Sequence, residues 1–350
     1  GGDLLGVVEH LDYLVELGIN ALYLTPIFQS ACNHRYHTHD YRMVDPLLGG
    51  NAALRELVEE AHRRGMRIIL DGVFNHASRG LLQFNDILEN GPHSPWIGWF
   101  TIHGWPLAPY DGHRPANYTA WTDNRALPEF NTDNPEVREF LMSVGEFWIS
   151  EYDIDGWRLD VPADITTPGF WEEFRRRVRA VKEDTYLVGE IWRDAPLWLQ
   201  GDRFDATMNY VFAAAAIAFA GGDRVSRTLV ADRAYDAYPG IDGRQFGQRI
   251  ANLIQLYDWD TTLVQFNLLD SHDTPRVLSI ARGDKATLRL ATLLQMTFPG
   301  APCVYYGDEI ALRGTRRYDQ PHRDRDARWP FPWHNTKVWD YEMLDYFRQI

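Results

Sequence analysis

Carboxylates placed where apolar runs end are the part of this sequence that can do chemistry. Asp71, Asn75 and His76 stand at and just beyond the end of the run 67–73. Arg158 and Asp160 close the run 154–159, and their i, i+2 spacing points both side chains to one face of a strand. Glu190 lies near the end of the run 186–191, and His272 and Asp273 follow the run 263–269. Taken singly, each has an ordinary explanation: an Asp at a strand end forms turns and helix caps, an Arg-x-Asp is a local ion pair, and a lone His is hydrogen-bonded scaffold. Together they gather like charges on successive strand ends, a cost that function explains better than folding does.

Three carboxylates, an arginine and two histidines suit the cleavage of a glycoside, whose transition state is positive at the anomeric carbon. One carboxylate attacks and forms a glycosyl-enzyme. A second protonates the leaving oxygen and later activates water. A third holds sugar hydroxyls and favours the developing charge. Arg158 beside Asp160 keeps that carboxylate ionised by Coulomb attraction and hydrogen bonding.

The elements that must position these groups alternate between helix and short apolar strand. Apolar residues Leu4, Leu5, Val7, Val8, Leu11, Leu14, Val15 and Leu17 predict a helix over 4–17, stopped by Gly18. A second helix is expected over 52–64, closed by Gly65, and others over 137–151 and 170–181. Strands are expected over 21–26, 67–73, 154–159, 186–191, 204–210, 263–269 and 302–306. Alternation of this kind predicts an α/β fold with a parallel sheet, a (β/α)₈ TIM barrel. Seven strands are one short of closure and the chain opens on a helix, so the first strand is expected to precede Gly1. Between His76 and Asn131 lie roughly 55 residues rich in Gly, Pro, Asn, Asp and Trp, too many for an ordinary loop. The expected organisation is a first part of the barrel over 1–76, a small domain inserted after the third strand over 77–131, and the remainder of the barrel over 132–350.

Composition sets the outer bounds. A formal charge of −14 argues against a polyanion such as nucleic acid as the main partner, and the short basic run Arg175–Arg177 reads as a solvated helix face. No stretch reaches the ~18 apolar residues of a membrane span. The run 211–220 is short and mostly alanine, which fits a small-residue helix packed on a barrel. The two cysteines, Cys32 and Cys303, are too few for a disulfide framework and too far apart for a metal site built on cysteines. Aromatic residues at 13%, with 13 Trp, are compatible with stacking on sugar rings but are mostly core.

The motifs that carry these residues resemble glycoside hydrolase family 13, the α-amylase family, and within it the neopullulanase, cyclomaltodextrinase and maltogenic amylase group. Asp71-Gly-Val-Phe-Asn75-His76, Gly156-Trp-Arg158-Leu-Asp160, Val188-Gly-Glu190-Ile-Trp192 and Leu269-Asp270-Ser271-His272-Asp273 match the family's four main motifs in order and spacing. Secondary motifs agree: Asn33-His34-Arg35-Tyr36, Leu127-Pro128-Glu129-Phe130-Asn131 and the stretch from Gly300 to Glu309. The resemblance implies Asp160 as nucleophile, Glu190 as general acid/base and Asp273 as transition-state stabiliser. It implies that Tyr36, His76, Arg158 and His272 line the cleavage subsite and that Trp192 flanks the leaving group. Asp324 and Arg328 match a pair that holds the next sugar on the other side.

The same resemblance implies α-glucan oligosaccharides or cyclodextrins as partners, α-1,4 or α-1,6 bonds as targets, and transglycosylation beside hydrolysis. Other readings are a family member that mainly transfers or isomerises, and a non-catalytic or inactive truncated binding segment. No nucleic acid, membrane or cofactor is expected, a cytoplasmic location is, and a full-length protein can form a homodimer. Many α-amylases hold calcium between inserted domain and barrel. Here Asn75 matches one ligand, but Asp164 replaces a His, and no calcium site is assigned. The stretch Val161-Pro162-Ala163-Asp164 departs from the group's usual Val-Ala-Asn-Glu, and His37 stands where Asp is usual. The flanking N- and C-terminal β-domains of the group are expected to be absent from this chain.

Overall fold

The computed structural model describes residues 2–231, 238–315 and 326–350. Two compact units divide the chain: one holds residues 2–190 and 200–204, the other residues 191–199 and 205–350.

In the first unit, strands β1 (Ala21–Leu24), β2 (Phe28–Ser30), β3 (Thr38–Val44), β4 (Arg67–Gly72), β5 (Gly156–Leu159) and β6 (Tyr186–Gly189) follow one another along the chain. β1, β4, β5 and β6 pair side by side, all parallel, with Ala21 opposite Arg67, Ile69 opposite Gly156 and Gly156 opposite Tyr186. The near-continuous apolar sequences of β4 and β5 suit strands buried on both faces, and β5 is buried throughout. Gly156 is needed where these strands meet, because a Cβ there would lie 2.5 Å from the Tyr186 carbonyl oxygen.

Helices connect the parallel strands. Gly50–Arg63 buries Ala53, Leu54, Leu57, Val58 and Ala61, a stripe at helical spacing. Pro135–Tyr152 starts on Asn134, whose side chain accepts the Glu136 N–H, with Pro135 at the first position. Phe170–Val181 packs Phe174 against Phe74 at 5.4 Å between ring centroids, and Trp148 stacks on Phe28 at 4.9 Å. Within the basic run on this helix Arg177 sits between Glu139 and Glu146 and pairs with both, while Arg176 is largely exposed.

Two features depart from the sequence expectations. The predicted helix over 4–17 is two short ones, Leu4–Glu9 and Leu11–Glu16, because the backbone of His10 leaves helical values and its N–H is shared between the Val7 and Val8 carbonyls. The antiparallel hairpin of β2 and β3 was not expected at all. Its register shifts on both sides of Gln29, and β3 buries Thr38, Tyr41 and Val44 at every third position. The bulge removes the alternation by which a half-buried strand is recognised.

Between β4 and Pro135–Tyr152 runs a long connection with little regular structure beyond the helix Leu82–Asn90. It is held by single bridges, Ile102 to Tyr118, Ala120 to Pro128 and Phe100 to Phe130, and by an aromatic cluster in which Phe84 meets Phe100 at 5.0 Å and Tyr118 at 4.9 Å.

The second unit contains β7 (Ala206–Thr207), β8 (Phe266–Leu268) and β9 (Ala301–Cys303), with β8 and β9 parallel. The alanine-rich run forms the helix Tyr210–Gly221, whose Ala213, Ala215, Ala216 and Ala218 are buried. Gly243–Leu256 opens on a capping box of Asp242 and Gln245. Among the described residues no helix is long and apolar enough to cross a membrane.

Candidate active site

Parallel pairing delivers the first group of functional side chains. Asp71 on β4 lies opposite Arg158 on β5, and Arg158 lies opposite Val188 on β6. The ladder runs one residue past the strands: the Asp160 N–H donates to the Gly72 carbonyl and the Glu190 N–H to the Leu159 carbonyl, each at 3.0 Å. Asp71, Asp160 and Glu190 thus emerge at the C-terminal ends of adjacent strands, as parallel β/α sites require.

Arg158 holds them together. Its side chain is 1% exposed; Nη1 reaches both Asp71 carboxylate oxygens and Asp160 Oδ1 at 3.0 Å, and Nη2 reaches Glu190 Oε1 at 2.9 Å. A lone guanidinium buried so deeply would be costly; burial lowers its pKa, but Asp71 first and Glu190 next outweigh that and hold it well above the usual value. Glu190 is further fixed by its Oε2, which accepts the Val161 N–H at 3.0 Å. Val161 sits at φ 35°, a left-handed conformation unfavourable for a β-branched side chain, so strain is stored at the residue that follows Asp160 and touches Glu190.

Two tyrosines cap Asp71. Tyr23 donates to Asp71 Oδ2 at 2.6 Å and Tyr36 to the same oxygen at 3.0 Å. Burial first, and the neighbouring Asp71 as well, push both phenols well above their usual range, so they stay protonated donors. Tyr36 was a sequence candidate; Tyr23 was missed because 21–24 reads as a plain apolar strand. Its period-2 partnership with Ala21 on a parallel strand was the available signal.

His76 follows β4 and stacks on Trp121, with 4.9 Å between centroids and 18° between planes. Burial, and to a smaller degree His37, push its pKa down to about 3, leaving a neutral ring with one donor and one acceptor. Between that value and 6.5 the unfolded chain binds a proton that the folded chain refuses, so stability rises with pH and is lost as pH falls below 6.5. Between pH 6.5 and 5 the loss amounts to about 2 kcal/mol. Unfolding free energies from urea titrations at pH 7 and pH 5 should therefore converge in His76→Gln by about that amount relative to the parent; an unchanged gap would refute a buried neutral His76.

The second unit carries the other candidates. His272 Nε2 lies 2.9 Å from Asp273 Oδ2, and Arg328 Nη2 lies 3.2 Å from Asp273 Oδ1. The Nε–H of Arg328 donates to the His272 carbonyl at 2.7 Å, locking the His-Asp turn to a distant part of the chain. The Asp273 N–H donates to Ser271 Oγ, which in turn lies 3.1 Å from the Tyr210 hydroxyl. Trp192 stacks flat on Tyr210, with centroids 3.6 Å apart. Beneath this turn Asp270 and Asp308 share Arg276; burial raises both carboxyls, Asp308 further through Asp270. Asp324 lies outside the described residues.

For calcium, Asn75 and Asp164 are the relevant positions. Asp164 Oδ2 accepts the Trp121 indole N–H at 2.8 Å.

The sequence of residues 1–345 matches the family model described as the alpha amylase catalytic domain. A cyclomaltodextrinase from Geobacillus thermopakistaniensis is 44% identical over 314 residues, which cover 90% of this chain and 50% of that protein. A debranching enzyme from Nostoc punctiforme has a solved structure with a TM-score of 0.94 at 56% identity, covering 100% of this chain and 70% of that one. A cyclic α-maltosyl-(1→6)-maltose hydrolase from Arthrobacter globiformis, solved with that substrate, gives a TM-score of 0.89 at 39% identity, covering 100% of this chain and 72% of that one. The chain spans about half the length of the curated relatives it matches. On its motifs, its strand-end carboxyls and these matches, the chain belongs to the α-amylase family, in the group of cyclomaltodextrinases, maltogenic amylases and neopullulanases.

Proposed function

We propose that this chain carries the catalytic part of a retaining α-glycosidase that hydrolyses α-1,4 and α-1,6 glucosidic bonds in cyclodextrins, maltooligosaccharides or pullulan, with transglycosylation as a side reaction. The observation that carries this reading is the single buried guanidinium of Arg158 shared by Asp160 and Glu190. Two carboxyls held on one guanidinium, at 3.0 and 2.9 Å, support a close catalytic pair, and retaining glycosidases work with carboxyls about 5 Å apart. Within this reading the chain has the family's (β/α)₈ barrel, with the connection 77–131 as its inserted domain.

Asp160 attacks the anomeric carbon as Glu190 protonates the glycosidic oxygen; the C–O bond breaks and a glycosyl ester forms on Asp160. Glu190, now a carboxylate, takes a proton from water, and the hydroxide equivalent displaces Asp160 with net retention. Asp273, supported by His272 and Arg328, stabilises the developing positive charge. Tyr36 stacks on the sugar, His76 and Arg158 hold its surroundings, and Trp192 flanks the leaving group. The Nostoc and Arthrobacter relatives, a debranching enzyme and a hydrolase of an α-1,6-linked ring, support α-1,6 bonds as well as α-1,4. A cytoplasmic location and a homodimer of the full-length protein complete the proposal; the Bacillus subtilis relative is named an intracellular maltogenic amylase.

The test is to follow γ-cyclodextrin, maltotriose and panose with this chain by proton NMR. Release of α-anomers first supports the proposal, whereas initial β-anomers would mean inversion and remove Asp160 as nucleophile. Transfer products without free reducing sugar would favour the transglycosylase alternative.

A further inference from the structure

The connection between β2 and β3 brings together reactive side chains for which glycoside cleavage has no use. Cys32, His34 and His37 each offer one ligand atom, and these atoms all lie within 4.8 Å of one another. Among the described residues this is the one such grouping of three His, Cys, Asp or Glu side chains. Cys32 Sγ stands 3.6 Å from His34 Nδ1. With metal–sulfur and metal–nitrogen bonds of ~2.3 and ~2.0 Å, a tetrahedral ion sets its S and N ligands about 3.6 Å apart. That pair therefore already has ligating separation. The His34 and His37 rings meet edge to face, 5.0 Å apart, so a small closure brings the third ligand in.

The loop is built to hold these groups. Ser30 pairs with Thr38 across the hairpin, closing its ends. The Ser30 hydroxyl donates to the His37 carbonyl at 2.6 Å and accepts the Cys32 N–H at 3.2 Å. Arg35, at φ 61°, ties the turn down by donating to Asp45 Oδ2 and to the Asn33 carbonyl. All three ligands are half-buried, so an ion can reach them from solvent.

We propose that Cys32, His34 and His37 form a binding site for a thiophilic divalent transition-metal ion of the zinc class, with water in the remaining position. One thiolate and two imidazoles favour such an ion over calcium or magnesium. Loading breaks the Cys32 S–H bond, forms the sulfur–metal bond and releases one proton to solvent. It also takes from the Tyr36 N–H the acceptor it now has in His34 Nδ1, at 3.2 Å. Tyr36 is the residue whose hydroxyl reaches Asp71. Metal binding is thus a reversible brake on hydrolysis, a consequence that rests on the proposed function, whereas the site itself does not.

Titration of the chain with Co²⁺ tests the site directly. The parent should develop a near-ultraviolet thiolate-to-cobalt band that saturates at one ion per chain and is displaced by Zn²⁺. Cys303→Ser should keep the band, Cys32→Ser should lose it, and His37→Asn should bind at least 10-fold more weakly. No band in the parent, or a band that survives Cys32→Ser, overturns the site. In the second arm, Zn²⁺ should suppress release of reducing ends by the parent, reversibly with a chelator, and leave Cys32→Ser insensitive; equal inhibition of both overturns the brake.

Discussion

Asp160→Asn is expected to lower turnover of γ-cyclodextrin and maltotriose by a factor on the order of 10⁴ while leaving the fold in place. An amide is nearly isosteric with the carboxylate, but it cannot form the glycosyl ester, so the reaction loses its first step rather than a fraction of its binding energy. The fold should survive because Arg158 retains Asp71 and Glu190 as partners. Reducing-end assays and single-turnover trapping measure the effect, and circular dichroism checks the fold. A reduction below 10-fold would mean that another group attacks the anomeric carbon.

The second large effect is on stability. Arg158→Met should cost about 3–5 kcal/mol, because it leaves Asp71, Asp160 and Glu190 buried without their cation. The sign of its pH dependence separates this cause from simple loss of packing. Without the guanidinium the carboxyls' folded pKa values rise above the unfolded ones, so the variant's stability is lost as pH rises and is partly recovered as pH falls from 7 to 5. In the parent, His76 makes stability move the opposite way over that range. Denaturant midpoints for both proteins at the two pH values measure the crossing slopes; parallel slopes would mean that the carboxyls are not forced to ionise together. Arg158→Lys should recover only part of the loss, since one ammonium cannot address three carboxyls as a planar fork does.

How far the sequence could be read depended on whether a residue's surroundings were local. The strands bearing Asp71, Arg158, Asp160 and Glu190 were legible because their apolar runs are continuous and buried, and i, i+2 spacing sufficed to set Arg158 and Asp160 on one face. That a single Arg158 binds three carboxyls was not legible; it depends on the lateral register of β4, β5 and β6. The hairpin around Gln29 escaped because its bulge turns alternation into a spacing of three. Tyr23 was hidden inside an apolar strand, and the expected strand over 204–210 shrank to two residues. The cysteines, considered only against each other, concealed the Cys32-x-His34-x-x-His37 spacing, which a search mixing ligand types would have found.

The shared guanidinium also acts as a sorting rule for what enters. In the proposed mechanism one positive charge faces three carboxyls, so the cluster stays negative even while Glu190 holds a proton for transfer. A neutral glucose ring replaces water there with its hydroxyls at little electrostatic cost. A ring carrying a phosphate or a carboxylate meets repulsion in a medium that screens poorly, and it is turned away before any contact with its hydroxyls is made. On the proposed function, phosphorylated sugars would thereby be kept apart from the unmodified glucans by charge.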